Sequence, residues 1–213
     1  MNRTQPFFAA LLGLAIAACG PSPVDQGASP TGSLALRFAA LSAPSLAPPA
    51  DEVVLELTGV HDTTVVGSPG DTVQILDLEP GEYQLKVQGY VDPFIVWTVS
   101  RRVNVLPGTL SEPTIEPVPF EVSGLSTTST LPLTGGALLD LTWTGVASAP
   151  DYRVAWSTGN DFAVILRDRI IVGTSASIDL GAVGTYYVRV APRDSTGASG
   201  FPVVLPDSVD VAN

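Results

Sequence analysis

The chain has 213 residues, with 10 Lys and Arg against 21 Asp and Glu, a formal net charge of −11, one cysteine and one histidine. This negative surplus repels polyanions, and the scattered basic residues form no stripe that could neutralise phosphates, so nucleic acid is not an expected partner. One Cys and one His exclude a Cys/His zinc cluster and an internal disulfide, and 45% hydrophobic residues exclude a disordered acidic tail.

In chain order, a short polar start carrying Arg3 leads into the apolar run Phe7 to Ala18, interrupted only by Gly13. That run has the length of a secretory signal and is too short for a stable membrane-spanning helix. It ends in Ile16-Ala17-Ala18-Cys19, a branched apolar residue, two small residues and the lone cysteine. This tetrapeptide resembles the lipobox of bacterial lipoproteins. The resemblance implies cleavage between Ala18 and Cys19, lipid on the Cys19 sulfur and acylation of the new amino group. Gly20, rather than Asp, follows the cysteine, which resembles the pattern compatible with outer-membrane delivery in a two-membrane bacterium. Each buried methylene contributes about 0.8 kcal/mol and several acyl chains hold a protein stably, so Cys19 is expected to be an anchor. The alternative for a lone cysteine, a small buried hydrophobe, fits poorly with the Gly-Pro-Ser-Pro that follows.

Residues 20–31, mostly small, polar or Pro, read as a tether that can reach roughly 40 Å when extended. A strand is expected over Ser33 to Phe38, then a Pro-broken loop from Ala40 to Ala50. Val53, Leu55 and Leu57 alternate with Val54, Glu56 and Thr58, the period of a half-buried strand. Thr63 to Val66 and Val73 to Leu76 follow as strands around a turn at Ser68-Pro69-Gly70-Asp71, and Leu78-Glu79-Pro80-Gly81-Glu82 carries turn chemistry. Tyr83, Leu85 and Val87 are assigned to a core face, and Gln84, Lys86 and Gln88 to a wet face. Strands over Phe94 to Val99, Arg102 to Val105 and about Ile115 to Val118 complete this half.

The second half repeats the grammar. Leu139, Leu141 and Trp143 form one inward ladder and Tyr152, Val154 and Trp156 another. Phe162 to Leu166 and Ile170 to Val172 are expected to form a hairpin around Arg167-Asp168-Arg169, followed by a strand at Ala176, Ile178 and Leu180. Gly184-Thr185-Tyr186-Tyr187-Val188-Arg189-Val190 aligns with Gly81-Glu82-Tyr83-Gln84-Leu85-Lys86-Val87: Gly, any, Tyr, any, aliphatic, basic, Val. The order of Leu139–Trp143, Tyr152–Trp156, Ser175–Leu180, Thr185–Val190 and the polar loop Asp194-Ser195-Thr196-Gly197 resembles a fibronectin type III domain. Leu78 to Val87 resembles the immunoglobulin-like and carboxypeptidase-regulatory-like modules of bacterial envelope lipoproteins. These resemblances imply an all-β fold of two tandem antiparallel Ig-like and fibronectin type III-like sandwiches. The expected division is signal peptide 1–18, lipidated cysteine and tether 19–31, first sandwich 32–118 and second sandwich 119–213. Tyr83 and Tyr186 are candidates for a tyrosine corner, in which a buried ring returns its hydroxyl to nearby backbone; two ordinary core tyrosines are the alternative.

Catalytic signals are sparse. His61 stands beside Asp62 in an expected turn with no nucleophile elbow, which reads as surface polarity. Asp151, Asp161, Asp168 and Asp194 are loop carboxylates that could supply a hydrolytic pair or a calcium site, with solvation and turn formation the commoner role. Trp97, Trp143 and Trp156 raise sugar stacking, with Trp143 the most core-like. The expectation is a noncatalytic envelope lipoprotein, without cofactor or metal, anchored to a membrane through Cys19 lipid and serving as a structural or protein-binding adaptor. A carbohydrate-binding or hydrolase accessory protein is the alternative and an independent enzyme comes third; the expected partner is an envelope protein or polysaccharide.

Overall fold

The computed structural model describes residues 31–37 and 49–213. The expected signal peptide 1–18, Cys19, residues 20–30 of the tether, Phe38 at the end of the first expected strand, and residues 40–48 of the Pro-broken loop lie outside the described residues. Those described form strands, turns and irregular loops, with no helix among them.

In the first half, β1 (Gly32–Arg37), β2 (Glu52–Thr58), β3 (Thr63–Gly67), β4 (Thr72–Leu78), β5 (Gly81–Val91), β6 (Phe94–Val105), β7 (Leu110–Ser111) and β8 (Val118–Pro119) build two sheets. Their orders are β4-β1-β7 and β3-β2-β5-β6-β8. Alternation of side chains explains the layering: Val53, Leu55, Leu57, Tyr83, Leu85 and Val87 are all buried and meet Leu34 and Leu36 from the opposite sheet. The two segments expected at Phe94–Val99 and Arg102–Val105 are one strand, β6, which continues through the polar Ser100-Arg101-Arg102. Gly89 faces Trp97 directly across the β5–β6 pair, and a Cβ at Gly89 would overlap the indole ring. The glycine therefore makes the space in which Trp97 is buried.

The second half comprises β9 (Ser123–Thr127), β10 (Leu133–Thr134), β11 (Leu138–Thr144), β12 (Asp151–Ser157), β13 (Arg167–Ile171), β14 (Ser175–Asp179), β15 (Gly184–Arg193), β16 (Val203–Val204) and β17 (Val209–Ala212). One sheet runs β14-β11-β9 and the other β10-β17-β15-β12-β13, with β16 on β15. Leu139, Leu141 and Trp143 pack against Tyr152, Val154, Trp156, Val188 and Val190 between the sheets. The expected 162–172 hairpin does not form. Arg167-Asp168-Arg169 is not a turn but the body of β13, which pairs with β12, while 162–166 is irregular. The physical reason lies at Phe162: its backbone turns at φ 53°, and its buried ring lies 4.6 Å beneath the Arg189 guanidinium.

Both halves share one plan. A long strand (β5 or β15) pairs with the strand before the edge (β2 or β12), which pairs with a short terminal strand (β3 or β13). At the start of each long strand the tyrosine hydroxyl donates to the carbonyl four residues upstream, Tyr83 to Glu79 O at 2.9 Å and Tyr186 to Ala182 O at 2.8 Å. Both candidates thus make the expected corner. Burial and the Glu79 carboxylate push the Tyr83 phenol above its ordinary pKa.

Candidate functional site at the junction of the sandwiches

A cleft of about 180 Å³, lined by Lys86, Gln88, Thr98, Ser100, Phe120 and Asp194 among others, lies where the two halves meet. Its floor is the side of β5 assigned above to water. That assignment holds for Gln84, which is exposed, but Gln88 is only 3% exposed. The cause is the Asp194–Gly197 loop, which covers it.

Asp194, 8% exposed, is the hub of the site. Its Oδ1 accepts from Thr196 N (2.9 Å), Thr196 Oγ1 (2.6 Å) and Ala198 N (3.0 Å), which ties down its own loop. Its Oδ2 reaches the other sandwich, 3.2 Å from Lys86 Nζ and 3.5 Å from Gln88 Nε2. Lys86 also stands 3.5 Å from Glu56, and Tyr90 donates to Gln88 Oε1 at 3.1 Å. Burial alone would raise the Asp194 pKa, but hydrogen bonds from Thr196 and Lys86 and the Lys86 charge outweigh it and hold the carboxyl below its ordinary value. The Tyr90 phenol is pushed up by burial and then by Asp194, Glu56 and Glu52.

Backbone joins the halves beside this cluster. Ile95 N donates to Ser199 O (3.0 Å), and Phe201 N lies 2.9 Å from Ile95 O and 3.2 Å from Phe120 O. Phe120 N donates to Val96 O (3.0 Å), and Gly200 N to Pro192 O (2.7 Å). A Cβ on Gly200 would overlap Phe120 and Pro192, so only glycine lets the segment lie this close. Phe201 packs on the first core and meets Phe94 edge to face at 6.1 Å. The junction is a continuation of β-sheet bonding from one sandwich into the other.

The remaining candidates are dispersed. Asp151 stands 3.4 Å from Arg193, Asp168 accepts from Arg153 at 2.6 Å, and Asp161 accepts from Ala163 N within its own turn. These carboxylates do not converge with Asp194, and no group of three or more His, Cys, Asp or Glu is arranged for a metal among the described residues. His61 is exposed and 3.1 Å from Glu79, and Asp62 accepts from Gly59 N. Trp97, Trp143 and Trp156 are all buried, so none offers a face to a sugar. Sequence reasoning missed Lys86 and Gln88 as site residues, because a polar residue on a polar strand face carries no mark of what will cover it.

The described residues therefore form an all-β structure of two tandem sandwiches whose strand pairs are antiparallel except for β1–β7 and β10–β17, which are parallel. No protein-family model matches it, and no curated protein matches it. Among solved structures it is similar to the FN1–FN3 domains of chicken CNTN1, at 12% identity and TM-score 0.37, covering 77% of this chain and 55% of that one. It is also similar to a DUF3823 family protein from Bacteroides ovatus, at 14% identity and TM-score 0.36, covering 86% and 99%. A third is an Fn3-like protein from Clostridium thermocellum, at 20% identity and TM-score 0.33, covering 44% and 93%.

Proposed function

We propose that this protein is a noncatalytic, lipid-anchored component of a bacterial envelope whose two sandwiches act as one stiff unit that positions or binds another envelope protein. The observation that carries the reading is the junction: backbone bonds through Ile95, Ser199 and Phe201, a buried Asp194–Lys86 pair and a Phe94–Phe201 contact all restrain the same hinge. Two modules on an ordinary linker would move independently. The anchor rests on the run ending Ile16-Ala17-Ala18-Cys19, with Gly20 favouring the outer membrane. A carbohydrate-binding role has less support, since the three tryptophans are core residues.

The test is cross-linking in intact native cells, with the Cys19→Ala form as location control. The wild-type chain should partition with detergent, incorporate labelled palmitate and cross-link to a recurrent protein, and the variant should lose all three. Unchanged detergent partition of Cys19→Ala would overturn the anchor.

A further inference from the structure

β13 ends its sheet, so one row of its backbone N–H and C=O groups faces no neighbouring strand among the described residues. Natural edges of this kind are usually short, covered or charged to prevent pairing. β13 is charged, yet its surroundings are apolar and open: Val164 is 69% and Val172 85% exposed, and Leu166 and Ile170 are also exposed. The charge there is net positive in an acidic protein, with Asp151 and Asp168 as the carboxylates on β12 and β13. Five of the chain's ten basic residues, Arg153, Arg167, Arg169, Arg189 and Arg193, lie on β12, β13 and β15. Asp168 engages Arg153 and Asp151 faces Arg193, whereas Arg167, Arg169 and Arg189 have no carboxylate within ion-pair distance among the described residues.

We infer that β13 is a docking edge for an extended acidic segment of a partner protein, which adds to the sheet as a sixth strand in line. Strand addition supplies backbone bonds, and side chains directly opposite one another supply selectivity. Residues facing Arg167 and Arg169 are then acidic, and those facing Ile170 and Ile171 apolar. An antiparallel partner reads valine, valine, glutamate, threonine, glutamate against Ile171, Ile170, Arg169, Asp168 and Arg167. The first sandwich gives an internal parallel: Lys86, which aligns with Arg189, takes the carboxylate of Asp194 from a neighbouring module. A second copy of this chain is the poorer occupant, because two β13 edges bring four guanidinium groups together between bodies that each carry a net charge of −11.

This inference rests on the protein-binding part of the proposed function, and its test does not depend on anchoring. The full chain in detergent is titrated against a blocked, fluorescein-labelled nine-residue peptide with that Val-Val-Glu-Thr-Glu core, and against the same peptide with Lys in place of Glu. The acidic peptide should bind, the basic one should not, and hydrogen exchange should slow across 167–171. Arg167→Glu/Arg169→Glu should weaken binding about tenfold or more, with an unchanged melting temperature, as opposite charges across a strand pair become like charges. Arg167→Gln/Arg169→Gln should weaken it less and in the same direction. Equal binding of both peptides, indifference to charge reversal, or protection at β3 instead would overturn the assignment. So would sedimentation showing self-association that charge reversal abolishes, or an anionic polysaccharide that protects β13 as well as the peptide does.

Discussion

Removing the Asp194 carboxylate should uncouple the two sandwiches. Asp194→Ala strands two backbone N–H groups and the Thr196 hydroxyl in its loop, and leaves Lys86 with only Glu56, 3.5 Å away. Breaking a buried, hydrogen-bonded ion pair from one side costs about 3–5 kcal/mol, and the partial exposure of Lys86 puts the expectation at the lower end. Much of that loss is local to the loop, so the inter-module share is isolated with a double-mutant cycle using Lys86→Ala. The gross attraction at 3.2 Å is about 5 kcal/mol for an effective dielectric of 20, and desolvation and the competing Glu56 reduce it to a coupling of about 1–2 kcal/mol. The assay is urea unfolding read by tryptophan fluorescence, which senses Trp97 in the first core and Trp143 and Trp156 in the second. Wild type should unfold in one transition and Asp194→Ala in two. A coupling below about 0.5 kcal/mol, together with a single transition in the variant, would refute the view that this pair holds the junction.

Gly89→Ala forces a methyl into the Trp97 indole and should cost about 3 kcal/mol, seen as a lower midpoint for the first module alone. Gly200→Ala meets Phe120 and Pro192 and should split the single unfolding transition in two while broadening the distance distribution between spin labels placed in the two modules. Tyr83→Phe and Tyr186→Phe each remove one hydroxyl-to-carbonyl bond and should each cost about 1 kcal/mol by chemical denaturation, in their own module. The junction should also open in acid. Because the folded Asp194 pKa is depressed, the unfolded chain takes up its proton first as pH falls; the stabilisation is complete above about pH 5 and lost as pH drops below about 4 and through the folded value. Inter-module distance should be flat from pH 8 to about 5 and rise in stronger acid, with Asp194→Asn already open at neutral pH; opening near pH 6 would contradict this.

The parts of the fold legible in the sequence are those where burial is one-sided. Val53, Leu55 and Leu57 on β2, and Leu139, Leu141 and Trp143 on β11, announce their strands because a pleated chain against a single core must alternate. Tyr83 and Tyr186 were legible for a second reason, since the shared Gly-x-Tyr frame sets the same turn and return bond in both halves. β13 was illegible because an edge strand need not alternate: Arg167, Asp168, Arg169 and Ile170 are all exposed, so charge there resembles a turn. Phe162 misled in the opposite direction, as its burial comes from lying beneath Arg189 and not from a strand. The junction was hidden by distance along the chain. Asp194 lies 108 residues from Lys86 and 106 from Gln88, and its local sequence gives only the turn that its Oδ1 does form.

The shared strand plan makes the two modules comparable surface by surface, and the comparison shows an asymmetry. In the first module the solvent side of the long strand β5 is occupied, with Lys86 and Gln88 under the Asp194 loop and Ile95 bonded to the 199–201 segment. In the second, the equivalent Arg189 lies over the Phe162 ring with no carboxylate within ion-pair distance among the described residues, and two strands away Arg167 and Arg169, on the other face of the edge strand, likewise lack one. A basic residue at this strand position therefore meets its counter-charge inside the chain once and lacks it once. Like-charged groups held together without counter-ions destabilise the folded state, so a structure that keeps them gains free energy when an acidic group arrives from outside. Under the proposed function, the first module is the one engaged in the junction, and the binding role falls to the second.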